Sequence, residues 1–245
     1  MNNFELLAFP SAHPLSRAAA KAWLEEIAPT NRVEKPYWVA LSGGHITLEF
    51  FAAVIELSKA GGFSLARIHF FWADERCVPP DDPASNFAIA DRHFFQPLGI
   101  AADKIHRIPG ELSPDAAAEL ATAEIQRLVP PGFGGQPVLD LVFLGMGEDG
   151  HVASLFPGEL DCAISSPAIF RAVRNAPKPP PERVTLGYGT LAAARHVWVL
   201  ASGPGKTAAL RESLTPTGQT PLARVLQSRR KTRIFSDISS SPITI

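Results

Sequence analysis

Short apolar runs alternate along this chain with longer stretches whose apolar residues recur every three or four positions. The runs at 38–41, 68–72, 139–144, 184–187 and 197–201 have the length and composition of buried strands. Between them, 48–59 and 116–129 carry helical spacing. Ser113-Pro114-Asp115 precedes the second helix, with Ser113 as N-cap and Pro114 at the first helical position, where a missing N–H is harmless. The alternation predicts an α/β fold: a single domain over 1–245 with a mostly parallel, Rossmann-like sheet and helices on both faces. The Pro-rich pieces at 78–83, 130–132 and 177–181 are too short to be linkers and are predicted loops. No internal repeat is visible.

Polar and glycine residues gather where the predicted strands end. Ser42-Gly43-Gly44 follows one strand, Asp74-Glu75-Arg76 the next, the stretch from Gly145 to His151 a third, and Ser202-Gly203-Pro204-Gly205-Lys206 a fourth. In a parallel sheet the carboxyl ends of strands share one edge, and ligands bind there. Four motifs therefore converge on one crevice.

Gly145 to Gly150 satisfies G-x-G-x-x-G after an apolar run, the pattern of a dinucleotide cradle. Glu148 and Asp149 argue against it, because they put negative charge where backbone N–H groups should receive a pyrophosphate. The acidic residue expected roughly 20 positions on is also missing, where the chain reads Phe170-Arg171-Ala172-Val173-Arg174. A histidine displayed beside an acid is the better reading. An imidazole ordinarily titrates near 6.5, so His151 is a candidate general base, or else a structural histidine. Ser42-Gly43-Gly44 suits close approach of an anion to backbone N–H groups and the helix start near Thr47 or Leu48, or is a plain tight turn. Lys206 offers a fixed cation to the same anion, and Arg76 a guanidinium fork for phosphate or carboxylate; the alternatives are an exposed lysine and a surface salt-bridge cluster.

Charge and composition narrow the partners. The 245 residues, 46% of them hydrophobic, suffice for a full core. A net charge of −1 and no basic block larger than Arg229-Arg230-Lys231, read as a solvated surface turn, remove the footprint of a nucleic-acid binder. Met1-Asn2-Asn3-Phe4-Glu5 lacks a cationic leader and no apolar run reaches membrane-spanning length, so a soluble cytoplasmic protein is expected. Cys77 and Cys162 match no metal spacing and suit a reducing compartment, without a disulfide.

Ser42-Gly43-Gly44, Asp74-Glu75-Arg76 with Val78-Pro79 and Ser85-Asn86-Phe87, the signature from Gly145 through His151 to Pro157, and the segment from Pro179 through Arg183 to Leu186 resemble the 6-phosphogluconolactonase family, in order along nearly the whole chain. The resemblance implies hydrolysis of 6-phospho-D-glucono-1,5-lactone to 6-phosphogluconate, the second step of the oxidative pentose phosphate pathway, without cofactor or metal. His151, Asp149 and Asp74 are then the catalytic candidates. Ser42, Gly43, Gly44, Arg76, Arg183 and Lys206 are candidates for holding the sugar phosphate, with Arg76 and Lys206 favoured. The oxyanion is expected to meet backbone N–H groups of the glycine loops. Ser154 lacks the G-x-S-x-G setting of a nucleophile. A small sugar-phosphate lactone is the expected partner, with no nucleic acid or membrane, on a monomer or weak homo-oligomer.

A sister family, glucosamine-6-phosphate deaminase, is the alternative. Its histidine loop carries a catalytic Glu where this chain has Phe156, and it has D-E-Y where this chain has Asp74-Glu75-Arg76. A non-catalytic sugar-phosphate sensor on the same fold is a further alternative. One departure stands out: the lactonase anion loop commonly reads S-G-G-S-T-P, whereas His45-Ile46-Thr47-Leu48 follows Gly44 here, leaving Thr47 as the only hydroxyl.

Overall fold

The apolar runs become the middle of a six-stranded parallel sheet. In the computed structural model, residues 3–29 and 35–238 are described, and the side chains of Phe133, Asp161 and Cys162 are not. The expectations placed on Met1, Asn2 and the Cys162 thiol thus lie outside the described residues.

In chain order the strands are β1 (Phe4–Ala8), β2 (Tyr37–Leu41), β3 (Ile68–Trp72), β4 (Asp74–Arg76), β5 (Leu141–Gly145), β6 (Phe170–Val173), β7 (Arg183–Leu186), β8 (His196–Ala201) and β9 (Thr232–Ser236). The helices are α1 (Ala12–Ile27), α2 (His45–Gly61), α3 (Asn86–Ala90), α4 (Gln96–Leu98), α5 (Pro114–Leu128), α6 (Asp161–Ile164), α7 (Tyr188–Ala193), α8 (Thr207–Ser213) and α9 (Pro221–Gln227). The main sheet has the order β1-β9-β8-β5-β2-β3, with every pairing parallel. Leu141 to Leu144 are all buried, so β5 hides both of its faces, as a parallel strand covered on two sides must. The strand order turns around between β2 and β5: the chain leaves β2 outward to β3, and β5, β8 and β9 fill in on the other side. A crevice opens at such a reversal, outside the carboxyl ends.

Aromatic rings bind the helices to this sheet. Trp23 of α1, fully buried, meets Phe143 of β5 edge-on at 5.3 Å and Phe50 of α2 at 6.0 Å. Trp198 of β8 continues the chain of rings from Phe143 to Phe235 of β9. Burying each such side chain contributes about 1.5–3 kcal/mol relative to exposure.

Several boundaries differ from the sequence reading, each for a physical reason. The strand expected at 184–187 belongs to a second, antiparallel sheet, β4-β7-β6, and not to the parallel one. Asp74-Glu75-Arg76, read as a loop, is β4 itself. The chain steps between sheets at Ala73, whose N–H donates to Leu41 and whose carbonyl accepts from Leu186, both at 2.7 Å. A strand of three charged residues carries no hydrophobic alternation to betray it. The helix expected from Leu48 starts at His45, immediately after Gly44. Pro114 does begin α5, but Ser113 caps it without a side-chain hydrogen bond. Helix α1 and the strands β1 and β9 were not anticipated; β1 is only half-buried and interrupted by Glu5. Among the described residues no helix is long and apolar enough to cross a membrane.

Candidate active site

The loops after β2, β3, β5 and β8 do meet at one edge, around a cavity of about 280 Å³. Ser42, Gly43, Gly44, Asp74, Arg76, His151, Arg183 and Lys206 all line it, joined by Lys178 and Phe156. Asp149 stands just behind His151.

The loop after β5 does not open a helix, as a dinucleotide cradle would. It closes on itself: Gly147 N–H donates to the His151 carbonyl at 2.9 Å and Gly150 N–H to the Gly147 carbonyl at 3.1 Å. This tight closure brings the His151 ring over Gly147, where a Cβ would lie 2.0 Å from Nδ1. No side chain fits at 147 while the imidazole holds this position. Nδ1–H donates to Asp149 Oδ1 at 2.5 Å, and the His151 backbone N–H reaches the same oxygen at 3.2 Å. Burial pulls the Asp149 carboxyl upward, but the hydrogen bond and charge of His151 outweigh it and hold the group below its ordinary value. With its proton fixed on Nδ1, the ring keeps the Nε2 lone pair for a ligand. Phe156 packs against the imidazole at 4.9 Å.

The other wall is cationic. Burial lowers the Lys206 ammonium, offset in part by Asp237 and Glu148. Its loop is anchored by Asp237, which accepts from Ser202 Oγ at 2.7 Å and Gly203 N–H at 2.9 Å. Arg183, 4% exposed, is gripped by the carbonyls of the Pro-rich loop, with Nε donating to Pro180 at 3.0 Å and Nη2 to Lys178 at 2.8 Å. Its guanidinium lies 5.6 Å from the centre of the Phe156 ring. Burial lowers Arg183 too, and the carboxylate of Asp74 works in the opposite direction. Arg76 donates to the Ala84 carbonyl at 2.6 Å.

Asp74 is buried, and it accepts from Ser154 Oγ at 2.7 Å and from Asn86 Nδ2 at 3.5 Å. Ser154 is fully buried and also lies 3.5 Å from an Arg183 nitrogen, so it bridges an acid to a base and is not presented as a nucleophile. Asn86 packs so closely on Gly43 that a Cβ there would fall 2.1 Å from its Oδ1. Neither Ser154 nor Asn86 stood out as a functional side chain in the sequence, although both lie within the quoted motifs. Lys178 was missed as well; its only signal is a cation inside a run of prolines.

The anion loop departs from expectation at two hydroxyls. Ser42 Oγ donates to the Phe143 carbonyl at 2.9 Å, and Thr47 Oγ1 to the Ser42 carbonyl at 3.2 Å. Both O–H groups are therefore spent within the fold, and Thr47 does not line the cavity. What remains is the amino end of α2, capped by Gly44 without any side-chain hydrogen bond, where the N–H groups ahead of Thr47 have no intrahelical partner and that of Thr47 closes on the Gly44 carbonyl at 3.1 Å. Among the described residues, no group of three or more His, Cys, Asp or Glu is placed to hold a metal ion. Cys77 is free, and burial pushes its thiol up to about 11.

Glu75 turns away from the cavity and ties it together. Oε1 accepts from the N–H groups of Arg76 and Asn86, and Oε2 from that of Phe87, each at 2.7 Å, with Ser85 Oγ adding a fourth bond at 3.1 Å. Glu75→Gln places an NH₂ against two of these donors, whichever oxygen it replaces. The expected loss is about 1–3 kcal/mol of stability for each group left unpaired. Burial pushes the Glu75 carboxyl from 4.5 up to about 7, against the pull of those N–H donors. The folded state thus binds the extra proton, and this contribution declines as pH rises from 4.5 to about 7. Urea titrations across that range should show the decline flattened in Glu75→Gln; an unchanged slope would assign it to another group.

Comparison with known proteins places the chain. The family described as glucosamine-6-phosphate isomerases/6-phosphogluconolactonase matches residues 10–234. A chloroplastic 6-phosphogluconolactonase 3 from Arabidopsis thaliana is 33% identical over 211 residues, covering 84% of this chain and 64% of that protein. The chain spans 64% to 66% of the length of the first plant relatives it matches. A 6-phosphogluconolactonase from Mycobacterium tuberculosis is 32% identical, with 84% of each chain covered. Among solved structures, the 6-phosphogluconolactonase from Trypanosoma brucei superposes with a TM-score of 0.83 at 26% identity, covering 96% of this chain and 97% of that one. The family match takes in all four strands whose carboxyl ends border the cavity, and so the chain belongs to the glucosamine-6-phosphate isomerase/6-phosphogluconolactonase family.

Proposed function

We propose that the protein hydrolyses 6-phospho-D-glucono-1,5-lactone to 6-phosphogluconate. The observation that carries this reading is an imidazole anchored through Nδ1, in a cavity walled by Arg76, Lys178, Arg183 and Lys206. A phosphorylated ester needs little more than a positioned base, an electrostatic grip on its anionic end, and donors for the oxyanion.

His151 Nε2 takes a proton from water as its oxygen attacks C1 of the lactone. The tetrahedral oxyanion is met at the amino end of α2, because the N–H groups of Gly147 and Gly150 are already committed within their own loop. The C1–O5 bond then breaks, O5 receives the proton from the imidazolium, and the new acid loses its proton to solvent. Asp149 holds the tautomer and stabilises the transient imidazolium. Lys206 and Arg76 hold the phosphate end, while Asp74, through Ser154, positions Arg183 beside the sugar. Asp74 is thus a positioning residue in this reading. The same chemistry suits a protein acting on a small metabolite, free of nucleic acid and membrane.

The deaminase alternative requires an acid/base array that moves protons between carbon and oxygen. The buried Phe156 stands where that family has its catalytic Glu, and an aromatic ring relays no proton. Parallel assays on glucosamine 6-phosphate and on the lactone separate the two: ammonia release should stay at background while acid is released from the lactone. Ammonia release as fast as lactone opening would reverse the assignment.

A further inference from the structure

A second cavity, about 480 Å³, lies at the opposite edge of the main sheet, where β8 and β9 begin. It is lined by Arg195, His196, Arg229, Arg230, Lys231 and Arg233, with no acidic residue among its walls. Arg229-Arg230-Lys231 is therefore not the simple solvated turn that its sequence suggested. Arg229 is only 8% exposed, and burial pushes its guanidinium down to about 10.

Nearby carboxylates do not balance these charges. Asp140 pairs with Arg195 at 3.1 Å, and Glu5 serves both Lys231 at 3.1 Å and Arg233 at 3.3 Å. Glu26 stands 3.9 Å from His196. Among the described residues Arg229 and Arg230 have no carboxylate partner. Arg229 instead donates to the carbonyls of Leu191, Ala192 and Arg195, closing the carboxyl end of α7, while its buried Nε has no partner. A guanidinium taken out of water without a counter-charge is costly, and hydrogen bonds to carbonyls meet only part of that cost.

We infer that this cavity binds a small anion bearing two or more phosphate groups, of the pyrophosphate or nucleoside diphosphate class. The Arg229 guanidinium, its Nη groups committed to the α7 carbonyls, adds a fixed and uncompensated charge at the wall, while the exposed Arg230 and Lys231 can reach phosphate oxygens directly. The volume falls within the range of about 300–1,000 Å³ usual for ligand sites and exceeds the needs of a single phosphate. A walled cavity bounded by β8 and β9 favours a compact anion over an extended nucleic acid strand. The proposal stands independently of the lactone chemistry at the other edge.

The test is calorimetric titration with pyrophosphate at low ionic strength in a Lys206→Ala background, which weakens anion binding at the first cavity. Adding Arg230→Ala and Lys231→Ala, both surface changes, should weaken binding roughly 10- to 100-fold. Removing the same charge elsewhere, with Lys59→Ala and Arg92→Ala, should leave it unchanged. Three results would overturn the proposal: no pyrophosphate binding in the Lys206→Ala background, an equal loss in the two double variants, or tight binding that survives Arg230→Ala with Lys231→Ala.

Discussion

His151→Ala lowers kcat on the phosphorylated lactone by roughly 10²–10⁴-fold, the usual share of a general base, while the protein stays folded. The ring sits over Gly147 and against Phe156 at the rim of the cavity, so its loss opens space toward solvent and leaves the main core untouched. The pH profile distinguishes this role from a structural one. A protonated imidazole cannot accept a proton, so activity of the wild type falls on the acid side. That limb should vanish in His151→Ala, because the group whose protonation produces it is gone. Near-normal turnover in the variant, after subtraction of spontaneous opening, would assign the base elsewhere.

Lys206→Ala is expected to cost roughly 10- to 150-fold in kcat/KM toward the phosphorylated lactone, the worth of about 1.5–3 kcal/mol for a hydrogen bond to a charged group. Unphosphorylated gluconolactone has no such contact to lose. The variant should therefore narrow the preference between the two lactones, whereas His151→Ala should depress both alike. Measuring kcat/KM for both substrates with each protein decides the matter. Equal proportional losses on both lactones for Lys206→Ala would mean that this lysine does not read the phosphate.

The edge that carries the candidate site was legible because parallel strands announce themselves as apolar runs, and their carboxyl-end loops cannot hide glycine, histidine and charged residues inside a core. Ser42, Asp74, His151 and Lys206 each follow such a run, and the topology carries them to one cavity. Less was legible where side chains answer to distant partners. Nothing local shows that Ser154 serves Asp74 across 80 positions, or that the Ser42 hydroxyl turns inward to Phe143. The second sheet was hidden for another reason: β4 is made of charged residues, and its pairing with β7 depends on contacts far apart in sequence. Arg229 misled for a third reason, since a basic triplet looks solvated until the carbonyls ending α7 are seen to surround one of its members.

The central claim is that this cavity opens a phosphorylated lactone. The most direct measurement is continuous acid release from freshly prepared 6-phospho-D-glucono-1,5-lactone, followed against its spontaneous hydrolysis in the same buffer. The account predicts acid release well above that background, in proportion to enzyme concentration and saturable in lactone. A rate equal to the spontaneous one at every enzyme concentration would contradict it.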